Sequence, residues 1–221
     1  MRNAGFEGIS RPGGYTRDTH TGELHANWVT PEGWVGWWDE REGRRRPETE
    51  IIALRDPYIG PPRRVYEGEW AVKMFVSFHS WLGGYYQVVS GLTPGAHYEA
   101  GFFAHAWCNN DGLFHADDPG CAPMGCGALY RLEENLPALS GDPVSDAWWA
   151  GLFQVGVQFL GPNELPDPTY NVRWGKAAAI YNVYAAVPPL EFTAETERVA
   201  VFLRCAFRWK FRNNDAYLDA A

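Results

Sequence analysis

No stretch of about eighteen consecutive apolar residues occurs in the chain, so no membrane-spanning helix is expected and no membrane insertion. The opening MRNAGFEGIS has no apolar h-region, so the chain is expected to carry no signal for the general secretory pathway. Positive charge is scarce: 19 Lys and Arg stand against 27 Asp and Glu, a formal net charge of −8. That balance excludes a phosphate-tracking surface as the main feature, and no nucleic-acid partner is expected. The run Arg44-Arg45-Arg46 is a local exception and reads as a solvated loop. Signatures of catalysis are also missing. There is no G-x-S-x-G, no H-E-x-x-H and no phosphate-cradling Gly-Lys loop. The acidic pairs Asp39-Glu40, Asp117-Asp118 and Glu133-Glu134 are adjacent in sequence. Neighbours on a strand point to opposite faces, so none forms an acid/base pair for glycoside cleavage by itself. The histidines (His20, His25, His79, His97, His105 and His115) are scattered. The expectation is a protein that is not an enzyme.

What is present is turn-forming and aromatic. The chain of 221 residues holds 24 Gly, 16 Pro and 11 Trp. This suits many short strands joined by turns. In Val65–Gln87, two apolar runs flank Gly83-Gly84, which reads as a loop between strands. Val72, Met74, Val76 and Phe78 alternate with Lys73, Phe75, Ser77 and His79, the period of a strand with one face on a core. Tyr85–Val89 has strong β preference and runs to the turn Leu92-Thr93-Pro94-Gly95. Along 96–107, Tyr98, Ala100, Phe102, Ala104 and Ala106 share one face, and His97, Glu99, Phe103, His105 and Trp107 the other. Phe153–Leu160, Ala177–Ala186, Leu190–Ala194 and Arg198–Phe207 are further strands. In the last, Val199, Val201, Leu203, Cys205 and Phe207 face one way. Residues 39–64 read as a long surface loop with a short strand at Ile51–Leu54, and a short helix is expected near Asp142–Ala150. No repeat, heptad or change of composition divides the chain, so residues 1–221 are expected to form a single domain.

Flat aromatics stack on sugar faces, and amides reach the hydroxyls. Trp81, Trp107, Trp174 and Trp209, with Gln87 and also Gln154 and Gln158, are the candidate ligand-binding residues. Trp34, Trp37 and Trp38 form a second aromatic cluster on an expected loop. The four cysteines leave three readings open. Cys108, Cys121 and Cys126, with His115 between, are spaced to hold a tetrahedral zinc. Alternatively Cys121 and Cys126 close a small disulfide loop while Cys108 and Cys205 bridge adjacent strands. In the third reading all are reduced.

An ordered set of motifs then adds to this. Asn3-Ala4-Gly5-Phe6-Glu7, the segment Gly68 to Lys73, the segment Gln87 to Tyr98, and Ala216-Tyr217-Leu218-Asp219 follow one another along nearly the whole chain. Together they resemble the carbohydrate-binding-module jelly rolls of the galactose-binding-like superfold. The resemblance implies an all-β, antiparallel jelly-roll β-sandwich with long loops. It implies a structural calcium ion held by Glu7 and Asp219, with backbone carbonyls near Asn3 and Glu67 completing the shell. It also implies a non-catalytic module that recognises a surface or polymeric glycan through exposed aromatics, in adhesion. The alternative is a structural subunit of a virion or extracellular filament, with neighbouring protein subunits as partners. Either places the protein outside the cell or on a virion. The chain departs from the family pattern in its long 39–64 loop, its Cys-bearing 108–150 excursion and its lack of an attached enzyme domain.

Overall fold

A computed structural model describes residues 1, 3–7, 16–17, 24–25, 30–54, 64–109, 129–136, 138–141, 151–211 and 213–221. A two-residue pair, β1 (Thr16–Arg17) with β2 (Leu24–His25), forms a small sheet of its own. Five strands make one large sheet, in the order β12 (Ala185–Thr193), β7 (His97–Asn109), β14 (Asn213–Asp219), β5 (Trp70–Val76), β4 (Glu48–Ala53). The other large sheet has seven. Its order is β3 (Val35–Trp38), β6 (Trp81–Ser90), β13 (Arg198–Phe207), β9 (Leu152–Phe159), β11 (Ala178–Tyr181), β8 (Leu129–Leu132), with β10 (Arg173–Trp174) also on β9. All these pairings are antiparallel.

The connectivity makes this a jelly roll. Taking β5, β6, β7, β9, β11, β12, β13 and β14 as positions one to eight, the two sheets read 1-8-3-6 and 2-7-4-5. From β5 to β9 and again from β11 to β14, each connection crosses between sheets, so the chain closes two Greek keys around one core. The all-β jelly-roll sandwich expected from the sequence is therefore the observed fold.

Period-two alternation builds the core. Val72, Met74 and Val76 of β5, Ala100, Phe102, Ala104, Ala106 and Cys108 of β7, and Val199, Val201, Leu203, Cys205 and Phe207 of β13 all enter the inter-sheet cluster. The outward positions of the seven-stranded sheet are also packed. Trp37, Leu82, Leu152, Ala200, Phe202 and Ala206 form a second buried cluster, flanked by half-buried Tyr86 and Trp174. β13 is accordingly buried on both faces, which a single alternating strand does not announce.

Four expectations are corrected. Gly83 and Gly84 do not form a loop; they lie inside β6. A β-carbon on Gly83 would stand 2.7 Å from the Trp37 carbonyl, and one on Gly84 would collide with the Leu203 carbonyl. These glycines permit close approach of the flanking strands rather than a turn. Trp34, Trp37 and Trp38 are not a loop cluster. All three are buried; Trp34 and Trp38 join the inner core and Trp37 the outer cluster. The apolar run 177–186 is not one strand, because Asn182 takes a left-handed φ of 51° and the chain passes from β11 to β12 in the opposite sheet. Phe78 leaves the β5 face at φ 60° and is 60% exposed. The helix expected at 142–150 lies outside the described residues.

The close approach at β6 is testable. Gly84→Ala should lower stability by about 1–3 kcal/mol or more, read from the urea midpoint, because backbone must move. Gly101→Ala, whose β-carbon meets only Pro189 at 3.6 Å, should stay within about 0.5 kcal/mol of wild type.

Candidate functional site

The outer face of the seven-stranded sheet carries the candidate site. Strand register sets one row across four strands: Trp37 on β3, Gly84 on β6, Arg204 on β13 and Gln154 on β9. The neighbouring row holds Val35, Tyr86, Phe202 and Gly156, with Trp174 of β10 opposite Gly156. Gly156 has no side chain, and a β-carbon there would stand 2.6 Å from the Trp174 ring, so the indole occupies the space the glycine leaves. Trp174 also packs against Trp37 and Phe202 at centroid distances of 6.2 and 6.1 Å. The Trp174 indole is half-buried.

Two hollows lie beside these residues. An open trough of about 600 Å³ runs along the edge of the sheet, lined by Trp174, Gln154, Arg173, Lys176 and Glu133 and, from β12 of the opposite sheet, by Pro189, Leu190 and Glu191. A narrower hollow of about 320 Å³ lies toward the end of β6 and β13, with Arg44, Ser80, Leu82, Arg204, Ala206 and Arg208 on its walls. Arg204 lines the second hollow while its guanidinium sits 5.0 Å over the Trp174 ring of the first. The trough thus combines an aromatic platform, an amide and charged groups of both signs, a set suited to a polyhydroxylated ligand. Gln154 is oriented by donating to the Gly175 carbonyl at 3.1 Å. Ala177 N–H donates to Glu133 at 3.1 Å, which ties that carboxylate to the rim.

Of the residues expected to meet ligand, Trp174 and Gln154 line this trough. Trp81 is fully buried; it stacks on Phe207 at 4.8 Å and donates to the Asn214 carbonyl. Gln87 is buried too and donates to the Gly33 carbonyl, where it anchors the 30–34 turn. Both correct the expectation of a ligand-facing side chain: β6 turns Gln87 inward with Tyr85, and Trp81 sits where β6 enters the core. Trp107 lies on the opposite sheet and Trp209 packs half-buried against the core. Gln158 is spent on the 167–170 turn, accepting from Asp167 N–H and donating to the Tyr170 carbonyl. Arg204 and Lys176 went unnoticed in the sequence.

Cys108 and Cys205 are reduced, buried thiols in the core, so the bridge between them is not formed. Burial pushes both well above the ordinary thiol range. Cys121, Cys126 and His115 lie outside the described residues.

The outer face of the five-stranded sheet is chemically different. His105 of β7 is fully buried, and its Nδ1 lies 3.2 Å from Nη1 of buried Arg64. A guanidinium only donates, so Nδ1 accepts and Nε2 carries the proton. That Nε2–H finds no acceptor among the described residues. Burial, then the Arg64 charge, push the His105 pKa down to about 2, so the ring is neutral. Arg64 stacks over Trp107 and Tyr217, each at 5.0 Å. Lys73 bridges Glu50 at 2.9 Å and Asp215 at 3.5 Å. Burial raises Asp215 despite Lys73.

A third cluster joins the two ends of the chain. Asp219 accepts from Tyr66 and Glu67 N–H at 2.8 and 3.1 Å, and Glu7 accepts from Glu69 N–H at 3.1 Å. Ala221 N–H donates to the Ala4 carbonyl. Burial and, to a lesser degree, the Glu7 charge raise Asp219 to about 6, against the pull of its backbone donors. The two carboxylates expected to hold calcium therefore share one corner. The donors are hard oxygens, which suits calcium, and backbone would supply the rest, since no group of three His, Cys, Asp or Glu occurs among the described residues. The Asn3 carbonyl already accepts from Phe6 N–H and Trp34 Nε1–H.

No known protein-family model matches the sequence, and no curated protein matches it. Solved structures do. One is TmCBM61, a carbohydrate-binding module in complex with β-1,4-galactotriose, with 14% identity, all of this chain and 93% of that one covered, and a TM-score of 0.48. Another is the Stig cyclase Fisc from Fischerella sp. TAU, with 15% identity, coverage of 100% and 92%, and a TM-score of 0.45. A third is the xylan-binding domain from CBM 22, with 10% identity, coverage of 98% and 96%, and a TM-score of 0.38. Among the described residues no helix is long and apolar enough to cross a membrane.

Two buried groups set opposing pH dependences in calcium-free solution. Unfolded His105 takes a proton near 6.5 that the folded protein refuses, so its contribution is lost as pH falls below 6.5. Folded Asp219 keeps a proton to about 6 that the unfolded chain releases near 3.8, so its contribution is lost as pH rises through 6. Each is worth up to about 1.36 kcal/mol per pH unit. Between about pH 4.5 and 6 they largely cancel. Urea titrations of His105→Gln should show stability falling as pH rises through this window; Asp219→Asn should show it rising.

Proposed function

We propose that this protein binds glycan on the outer face of the seven-stranded sheet and acts by binding rather than by catalysis. The observation that supports this reading is the open trough holding half-buried Trp174 beside Gln154, Lys176 and Glu133. A pyranose presents an apolar face of C–H groups and a rim of hydroxyls. The indole takes the first; the amide, ammonium and carboxylate take the second. Trp174 is fixed beneath by Gly156 and beside by Trp37 and Phe202, so little conformational entropy is lost when a sugar docks. The openness of the trough suits a chain passing over the surface rather than a small molecule swallowed whole. A glycan partner puts the working location outside a cell or on the surface of a virion.

The reading includes a structural calcium at the corner formed by Glu7 and Asp219. When bound, the ion supplies positive charge that lets both carboxylates ionise side by side. The residues themselves hold the first and last segments of the chain on the 66–69 turn.

Binding is measured by affinity electrophoresis against a panel of soluble polysaccharides. Trp174→Ala should weaken any retained glycan about tenfold or more, roughly 1.4 kcal/mol. Trp107→Ala, on the other sheet, should leave binding by the folded fraction unchanged. The reverse pattern would move the site to the five-stranded sheet. For the corner, calcium at about a hundred times its dissociation constant should stabilise by about 2.7 kcal/mol, roughly 5–10 °C in Tm. A chelator should remove that gain, and Glu7→Ala should abolish the response.

A further inference from the structure

We infer that the hollow beside Trp174 is an anion subsite, and that the glycan it serves carries carboxylate or sulfate groups. This inference rests on the glycan-binding reading of the same face. The charges around the hollow carry it. In a protein of net charge −8, Arg44, Arg204 and Arg208 converge on one 320 Å³ space. The acid on its wall, Glu42, is held by Arg44 at 2.6 Å. The buried acid behind it, Asp39, is taken by Arg41 at 2.7 Å and by Arg44 at 3.1 Å. That leaves Arg204. It is only partly exposed, and no carboxylate forms an ion pair with it among the described residues; its guanidinium lies over the Trp174 ring.

A desolvated guanidinium with no counter-charge is costly, and the neighbouring arginine makes it more so. Burial first, then repulsion from Arg44, lower the Arg204 pKa. The stacked indole compensates by about 0.5–2 kcal/mol, and the Asp39 charge, already shared with Arg41 and Arg44, opposes the Arg44 repulsion only in part. A planar, forked donor set is matched by an oxyanion with two accessible oxygens. Carboxylate and sulfate share that chemistry. The position is the second part of the argument. Arg204 lies in the same row as Gln154, and its guanidinium covers the ring that would stack the sugar. An acidic sugar stacked near Trp174 would place its oxyanion in the hollow, and the guanidinium would swing from indole to anion. The Arg44-Arg45-Arg46 run, which reads in the sequence as a solvated loop, supplies one wall of this subsite through Arg44.

The test uses oligogalacturonate, its carboxyl-reduced neutral counterpart and a sulfated oligosaccharide, by isothermal titration at two salt concentrations. The acidic oligosaccharides, or one of them, should bind about tenfold or more tightly than the neutral one, with affinity falling as salt rises. Arg204→Met should erase that preference, bringing the acidic oligosaccharides to the affinity of the neutral one, whereas Trp174→Ala should weaken all three. The Met variant, tested without ligand, should unfold at the same temperature as wild type or higher. If it fails to fold, Arg208→Met on the exposed rim should reduce the preference in its place. A separate readout needs no glycan: inorganic sulfate, against chloride at equal ionic strength, should raise Tm more in wild type than in Arg204→Met. Equal binding of acidic and neutral oligosaccharides overturns the anion subsite and leaves the glycan reading standing. A sulfate effect that depends on Arg204, with no oligosaccharide bound at all, overturns the glycan reading and keeps the subsite. Tighter binding of a DNA oligonucleotide than of any oligosaccharide overturns the proposed ligand class.

Discussion

The candidate site depends on one strand, β13, being hydrogen-bonded on both sides along nearly its full length. Its ten residues pair with β6 throughout and with β9 over eight of them. That double pairing leaves no freedom of register, because a slip of one residue would send Val199, Val201, Leu203, Cys205 and Phe207 out of the core and Arg198, Phe202 and Arg204 into it. Arg204 is therefore partly buried because the alternation of a central strand forces it onto a crowded outer face, not because the local sequence favours it there. The glycines on the flanking strands complete the arrangement. Gly84 stands beside Arg204 and admits the backbone at Leu203–Arg204, and Gly156 stands beside Phe202 and makes room for the Trp174 ring.

The two outer faces of the sandwich handle buried charge in opposite ways. On the five-stranded sheet, Lys73 meets Glu50 and Asp215, Arg64 is stacked between aromatics against a neutral imidazole, and Tyr217 donates to Asp215. Cation and anion sit within one network, and the raised Asp215 lightens the negative side further. Such a network stabilises best when every member is satisfied and loses when one is removed. On the seven-stranded sheet the acids are already claimed by Arg41 and Arg44, and Arg204 is left over. Neither face is fully closed, since His105 Nε2–H on the first has no acceptor among the described residues. Arg204 differs in lying on the wall of an open hollow, where a ligand could reach it.

Much of the architecture was legible in the primary structure. The alternation in β7 and β13 identified both strands and the correct inward face, since a polar residue on the wrong side would be buried unpaired. The ends of the chain were legible for a different reason: the closing Asp219 and the opening Glu7 do meet, on backbone donors of one turn. Gly83-Gly84 misled because a glycine that permits a turn and one that permits close strand approach look the same without register. The Trp34, Trp37 and Trp38 cluster misled similarly, as turn signals on either side hid a short edge strand. Trp81 and Gln87 read as ligand-facing because aromatic and amide side chains suit both sugars and cores; only burial distinguishes the uses. Arg204 carried no signal at all. An arginine at an outward position of an amphipathic strand reads as a solvated charge, and the second layer that covers it comes from Trp37, Trp174 and the 39–46 segment, all distant in sequence.

That second layer also bears on why this face, and not the opposite one, is the one proposed to bind. Most jelly-roll strands are apolar on one side, but β13 is buried on both. Stability alone does not demand this, since an antiparallel sheet is content with one wet face. The extra apolar layer lowers the local dielectric around Arg204 and Trp174. In that setting a guanidinium–oxyanion contact is worth more than at an open surface, and an indole held against Trp37 and Phe202 is prepaid in rotational freedom. The cost is a cation without a partner. Selection for folding would remove that cation, because a methionine of similar volume would pack as well and require no counter-charge. Its presence at the junction of the two hollows follows from the proposed anion subsite and not from what the fold requires.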